Sequence, residues 1–90
     1  MGDRIESELK ACGERGESVA LAQITVGAGA GLRMLIWRGG QALGSLGSPR
    51  LNQRVALYAE GLIERGGAEI KAFDVPDGEV QVETRVFAGA

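Results

Sequence analysis

Glycine punctuates this sequence, and the spacing of the breaks limits the chain to short elements. Gly13 and Gly16, the run Gly27-Ala28-Gly29-Ala30-Gly31, Gly39-Gly40 and Gly66-Gly67 each stand where one hydrophobic pattern stops and another begins. In the first segment Ile5, Leu9 and Cys12 recur at i, i+4 and i+7. That spacing predicts a helix over residues 3–15, capped by Asp3 and stopped by the first glycines. Residues 18–26 read as a strand, with Ala20, Ala22, Ile24 and Val26 on one face and Val19, Leu21 and Thr25 on the other. Both faces are largely apolar, so this strand is expected to be central and covered on both sides. Residues 32–38 and 41–46 predict two more strands joined by Gly39-Gly40 as a two-residue hairpin turn. Gly44, inside the third strand, marks a bulge or a close backbone approach.

A second helix is expected from Ser48-Pro49, because serine caps a helix start and proline suits its first position. Leu51, Val55, Tyr58 and Leu62 repeat along it at helical spacing, widened by Ile63, until Gly66-Gly67. Residues 68–75 predict a fourth strand, and Pro76-Asp77-Gly78 a turn. Residues 79–87 alternate: Val80, Val82, Thr84 and Val86 face one way, Gln81, Glu83 and Arg85 the other. They predict a half-exposed strand near an edge. The expected fold is therefore α/β (α+β), a small mixed sheet of about five strands with two helices in the order α-β-β-β-α-β-β, residues 1–90 forming one domain.

A domain of 90 residues buries only about 60–65% of the surface of its unfolded chain. Self-association is a natural way to extend so thin a core, and a homo-oligomer built on an uncovered edge strand is expected. The net charge is −2, and the ten lysines and arginines are scattered, which argues against nucleic acid. There is no histidine, the commonest general base and metal ligand, and one cysteine, Cys12, which excludes an internal disulfide. Cys12 shares the apolar stripe of the first helix and is expected to be a buried thiol. A lone cysteine and the charged N-terminal stretch, with no apolar run of membrane-spanning length, point to the cytoplasm and away from a membrane. Glu60 and Glu64 lie beside the apolar stripe of the second helix and read as solvated surface. No carboxylate sits in an apolar pocket that would fit it for acid–base work, so the residues point away from an enzyme.

Two glycine-rich stretches remain. After the first strand, a dinucleotide fingerprint would need a helix directly behind the glycines; its third glycine falls on Leu32, and a strand follows. That stretch is expected to be a plain connection between strands. The second, Gly44-Ser45-Leu46-Gly47-Ser48-Pro49-Arg50, runs from a strand into a helix start, where free backbone N–H groups attract anions. It reads either as an ordinary capped turn or as a contact for a phosphate or other anionic cofactor. The second reading assigns Arg33, Gly44, Ser45, Gly47, Ser48 and Arg50 to the contact.

Ala20-Leu21-Ala22, the strand Gly31-x-Arg33-Met34-Leu35-Ile36, the Gly40 turn, and Gly44-Ser45-Leu46-Gly47 followed by a helix together resemble the N-terminal domain of the XdhC/CoxI family. The resemblance covers roughly residues 18–88. It implies an accessory, chaperone-like role toward molybdenum hydroxylases such as xanthine dehydrogenase and carbon monoxide dehydrogenase: handling molybdenum cofactor (molybdopterin) and delivering it to the apo-enzyme. Two departures stand out. The family's Ser-x-Pro-Arg is missing from the loop 27–31. Its Gly-Gly-Cys-x-Glu aligns with Ser48-Pro49-Arg50-Leu51-Asn52, so Arg50 replaces the characteristic cysteine and Asn52 the acidic residue. Larger members also carry a Rossmann-type domain that these 90 residues do not include.

Overall fold

A computed structural model of the protein describes residues 4–76 and 78–87; the Asp3 cap, Asp77 of the expected 76–78 turn and residues 88–90 lie outside them. The elements are α1 (Arg4–Arg15), β1 (Val19–Val26), β2 (Arg33–Trp37), β3 (Ala42–Gly44), α2 (Pro49–Arg65), β4 (Ala68–Val75) and β5 (Gly78–Phe87). The α-β-β-β-α-β-β order is as expected. The five strands form one sheet in the spatial order β3-β2-β1-β5-β4.

Every pairing in that sheet is antiparallel, where a mixed sheet was expected. The connections explain this. β1, β2 and β3 run as a meander, α2 then carries the chain across the sheet to the far edge, and the β4–β5 hairpin folds back so that β5 lies against β1. β5, expected near an edge, is the inner strand next to one; the edges themselves are β3 and β4. The β2–β3 connection also differs. Trp37 N–H donates to Gln41 O at 2.8 Å, which leaves a three-residue loop, Arg38 to Gly40, with Gly39 and Gly40 both at positive φ. β3 ends early because Gly44, at φ +93°, turns the chain out of the sheet.

The helices cover opposite faces. On one face, Ala20, Ala22, Ile24, Met34, Ile36, Phe73, Val80 and Val82 pack against Leu51, Val55, Ala59 and Ile63 of α2. On the other, Val19 and Leu35, with Leu21, Trp37 and Leu43, pack against Ile5, Leu9 and Cys12 of α1. β1 is therefore covered on both sides, as its two apolar faces require. The alternation of β5 also holds. Val80, Val82 and Thr84 are buried and Val86 half-buried, whereas Gln81 and Arg85 are exposed.

Thr84 is the exception in this core. Its Oγ1 is fully buried and, among the described residues, has no hydrogen-bond partner. A buried hydroxyl without a partner costs about 1–3 kcal/mol in lost hydration. Thr84→Val keeps the branched shape and removes the hydroxyl, so it is expected to stabilise the fold by about 1 kcal/mol, read as a higher urea midpoint at unchanged m-value.

Candidate functional site

The strand–helix turn at residues 45–50 is held by its own side chains. Ser48 caps α2: its backbone is extended and its Oγ accepts from Leu51 N–H at 3.4 Å. Ser45 Oγ accepts from Gly47 N–H and from Asn52 Nδ2, both at 3.0 Å. Asn52 Oδ1 in turn accepts from Leu46 N–H at 2.7 Å, and the Leu46 side chain is buried in the α2-side core. The turn is pinned at both ends. The backbone N–H groups of Ser48 and Arg50 have no partner among the described residues, and Pro49 has no N–H to offer.

The same end of the sheet gathers two further loops. The connection 27–31 folds over it, with Gly31 N–H donating to Ile24 O at 2.8 Å and Ile24 N–H to Leu32 O at 3.0 Å. The β4–β5 turn closes the other side at Pro76. Between the three loops lies a cleft of about 320 Å³, walled by Leu32, Leu46, Leu51, Val75, Pro76 and Val80, with Gly29, Gly47 and Ser48 at its rim. A Cβ on Gly29 or Gly47 would lie 3.0 or 3.3 Å from Leu32 Cδ1, so both glycines make room for the leucine that forms one wall. Among the described residues no charged side chain lines the cleft. Arg50 stands exposed on the first turn of α2 and, among the described residues, has no partner.

Of the residues assigned from sequence, Ser45, Gly47, Ser48 and Arg50 come together at this turn. Arg33 does not join them. It points to the α1 side of β2, away from Met34 and Ile36, with Nη1 3.6 Å from Glu6 Oε1. Gly44 is engaged within the fold: a Cβ there would lie 2.7 Å from Arg33 O and 3.0 Å from Ile5 Cδ1. Sequence reasoning missed Asn52 as the residue that ties the turn to α2, and Leu32 and Pro76 as walls. The wall roles have no local signal, because they depend on distant loops meeting; the Asn52 role is local, its partners Ser45 and Leu46 lying seven and six residues before it.

A larger open groove, about 590 Å³, runs between α1 and the β2–β3 hairpin. Within it Arg15 lies 2.7 Å from Glu17 and 3.8 Å from Glu8. Beneath it Cys12 is fully buried, its Sγ accepting from Trp37 Nε1 at 3.1 Å and Arg15 Nη2 at 3.5 Å. The thiol is therefore on the opposite face of the sheet from the cleft beside α2. Among the described residues no three or more cysteine, aspartate or glutamate side chains cluster as metal ligands would, and no helix is long and apolar enough to cross a membrane.

The profile of the XdhC and CoxI family matches residues 12–74, well over half of the chain. The match runs from the end of α1 to β4 and includes both glycine-rich stretches. No curated protein matches the chain.

Proposed function

Because the chain belongs to the XdhC and CoxI family, whose members serve molybdenum hydroxylases as accessory factors, we propose that it is a non-enzymatic accessory protein of molybdoenzyme maturation. In this reading residues 1–90 act as one family-type domain in the cytoplasm. They hold molybdopterin as cargo at the cleft ahead of α2 and pass it to the apo-enzyme. The observation that carries the site is the meeting of an apolar cleft with two helix-start N–H groups, those of Ser48 and Arg50, that have no partner among the described residues. A flat heterocycle fits against the Leu32, Leu46 and Leu51 walls, while a phosphate takes the N–H groups of Ser48 and Arg50 and the Arg50 guanidinium. The volume is at the low end of small-ligand pockets, enough for one ring system with its phosphate left outside. Cys12 is across the sheet, so no thiolate of the described chain reaches a metal here. Arg50 takes the family's cysteine position, and the contact is to phosphate.

Arg50→Ala is expected to weaken binding of a pterin phosphate about tenfold or more, the loss of one charged hydrogen bond. The unfolding midpoint should not move, because Arg50 is exposed and unpartnered. Titration calorimetry on both proteins tests this. Equal affinities would remove Arg50 from the site. A wild-type protein that binds no pterin phosphate and purifies without pterin absorbance would leave the second reading, a module that kept the fold and lost the ligand. That reading is favoured by the internal hydrogen bonds already made by Ser45, Asn52 and Ser48.

A further inference from the structure

The far edge of the sheet carries a pattern that the cofactor reading does not use. In β4–β5, Val86 N–H donates to Gly67 O at 2.9 Å, one step beyond the pair Ala68↔Arg85. Antiparallel pairs alternate between hydrogen-bonded and non-hydrogen-bonded, so Glu69, Lys71 and Phe73 also turn their backbone groups toward β5. Ala68, Ile70, Ala72 and Asp74 turn theirs outward, along an edge that no described strand covers. The last of these is already covered: Arg54 Nη1 donates to Asp74 O at 2.9 Å. The open ladder thus runs from Ala68 to Ala72 and is centred on Ile70.

The charged residues of β4 do not guard this edge. Lys71 Nζ lies back over the α2 face, 4.7 Å from the Tyr58 ring centroid and 5.8 Å from that of Phe73. Glu69 accepts from Tyr58 O–H on that same face and pairs with Arg65. Ile70, on the opposite face, is 63% exposed. An edge with its charges folded aside and an apolar residue at its centre is a pairing surface.

We propose that two copies of the chain join through β4, antiparallel and about a two-fold axis at Ile70, to make one continuous ten-stranded sheet. The register follows from the charges. With Ile70 opposite its copy, Glu69 stands opposite the partner's Lys71, Lys71 opposite the partner's Glu69, and Ala68 opposite the partner's Ala72. All three open residues then hydrogen-bond. Shifting the axis to Glu69 or to Lys71 sets like charges face to face, which is unfavourable directly across a strand pair.

Sedimentation of the full chain up to about 100 μM, with far-UV circular dichroism to confirm folding, tests the pairing. The wild type is expected to dimerise. Lys71→Glu places carboxylates opposite one another at both symmetric positions and should raise the dimer dissociation constant at least about tenfold, as should Glu69→Lys. The double exchange Glu69→Lys with Lys71→Glu should restore it. Ile70→Pro removes an outward N–H that has no partner among the described residues and should leave a folded monomer. A wild type that stays monomeric, or a dimer unmoved by Lys71→Glu and Ile70→Pro, overturns the proposal. Failure of the double exchange to restore pairing overturns the Ile70-centred register.

Discussion

A chain carrying Gly44→Ala is expected to lose at least about 3 kcal/mol of stability, a large share of the about 5–15 kcal/mol that holds a domain folded. Two costs add. Gly44 has φ +93°, beyond the left-handed region that other residues tolerate, so a side chain there carries about 1–3 kcal/mol of backbone strain. The new Cβ would also lie 2.7 Å from the carbonyl oxygen of Arg33 and 3.4 Å from Met34 Cα, which are backbone atoms of the neighbouring strand and cannot swing aside. β3 would have to part from β2, and Ile5, 3.0 Å from the same point, would lose its seat. Chemical denaturation measures the loss. Trp37, packed in the α1-side cluster, gives a fluorescence signal for that half of the core. Gly13→Ala is the contrasting change: its Cβ meets nothing within 4 Å and it lies in a helix, so it should be neutral or stabilising by up to about 1 kcal/mol.

Gly44 also illustrates what a sequence reveals of a close approach. A glycine inside a strand pattern signals that something comes near; here that is the Arg33 carbonyl and Ile5, not a ligand, and no local pattern distinguishes the two. Arg33 itself was ambiguous because its strand is apolar on both faces. Met34 and Ile36 turn to α2 and Leu35 to α1, so hydrophobicity alone could not say which side the arginine takes. The elements with strong local signals were legible: the Ser48-Pro49 helix start, β4 over residues 68–75, and the alternation of β5. The polar side of β5 does not by itself mark which strand is the edge. Its polar residues Gln81, Glu83 and Arg85 report an uncovered face, since the α1-side cluster includes no residue of β4 or β5, and an uncovered face is not an uncovered edge. The real edge, β4, has an exposed Ile70 and charges folded over α2, which period-2 analysis cannot see.

Truncating Ile36 is expected to cost about 3–4 kcal/mol, within the range for large-to-alanine changes in a core. Ile36 is fully buried in the α2-side cluster. Its neighbour across β1 is Ala20 and across β3 is Ala42, so small residues flank it within the sheet and Ala59 faces the same cluster from α2. The isoleucine fills space that none of them can reach. Ile36→Ala therefore leaves a cavity that side-chain rotation cannot close, and the cost should sit above the bare transfer value of the lost atoms. Ile36→Val, one methylene smaller, should cost about 0.5–1.5 kcal/mol, and Leu57→Ala, at a position 65% exposed, less than about 0.5 kcal/mol. Urea unfolding of the three variants measures this gradient; equal losses at Ile36 and Leu57 would contradict the packing. The series also separates scaffold from site. Ile36 lies under α2, while the proposed contacts lie at its N-terminus. Ile36→Val should therefore lower stability and leave pterin-phosphate affinity as it was, the reverse of what Arg50→Ala should do.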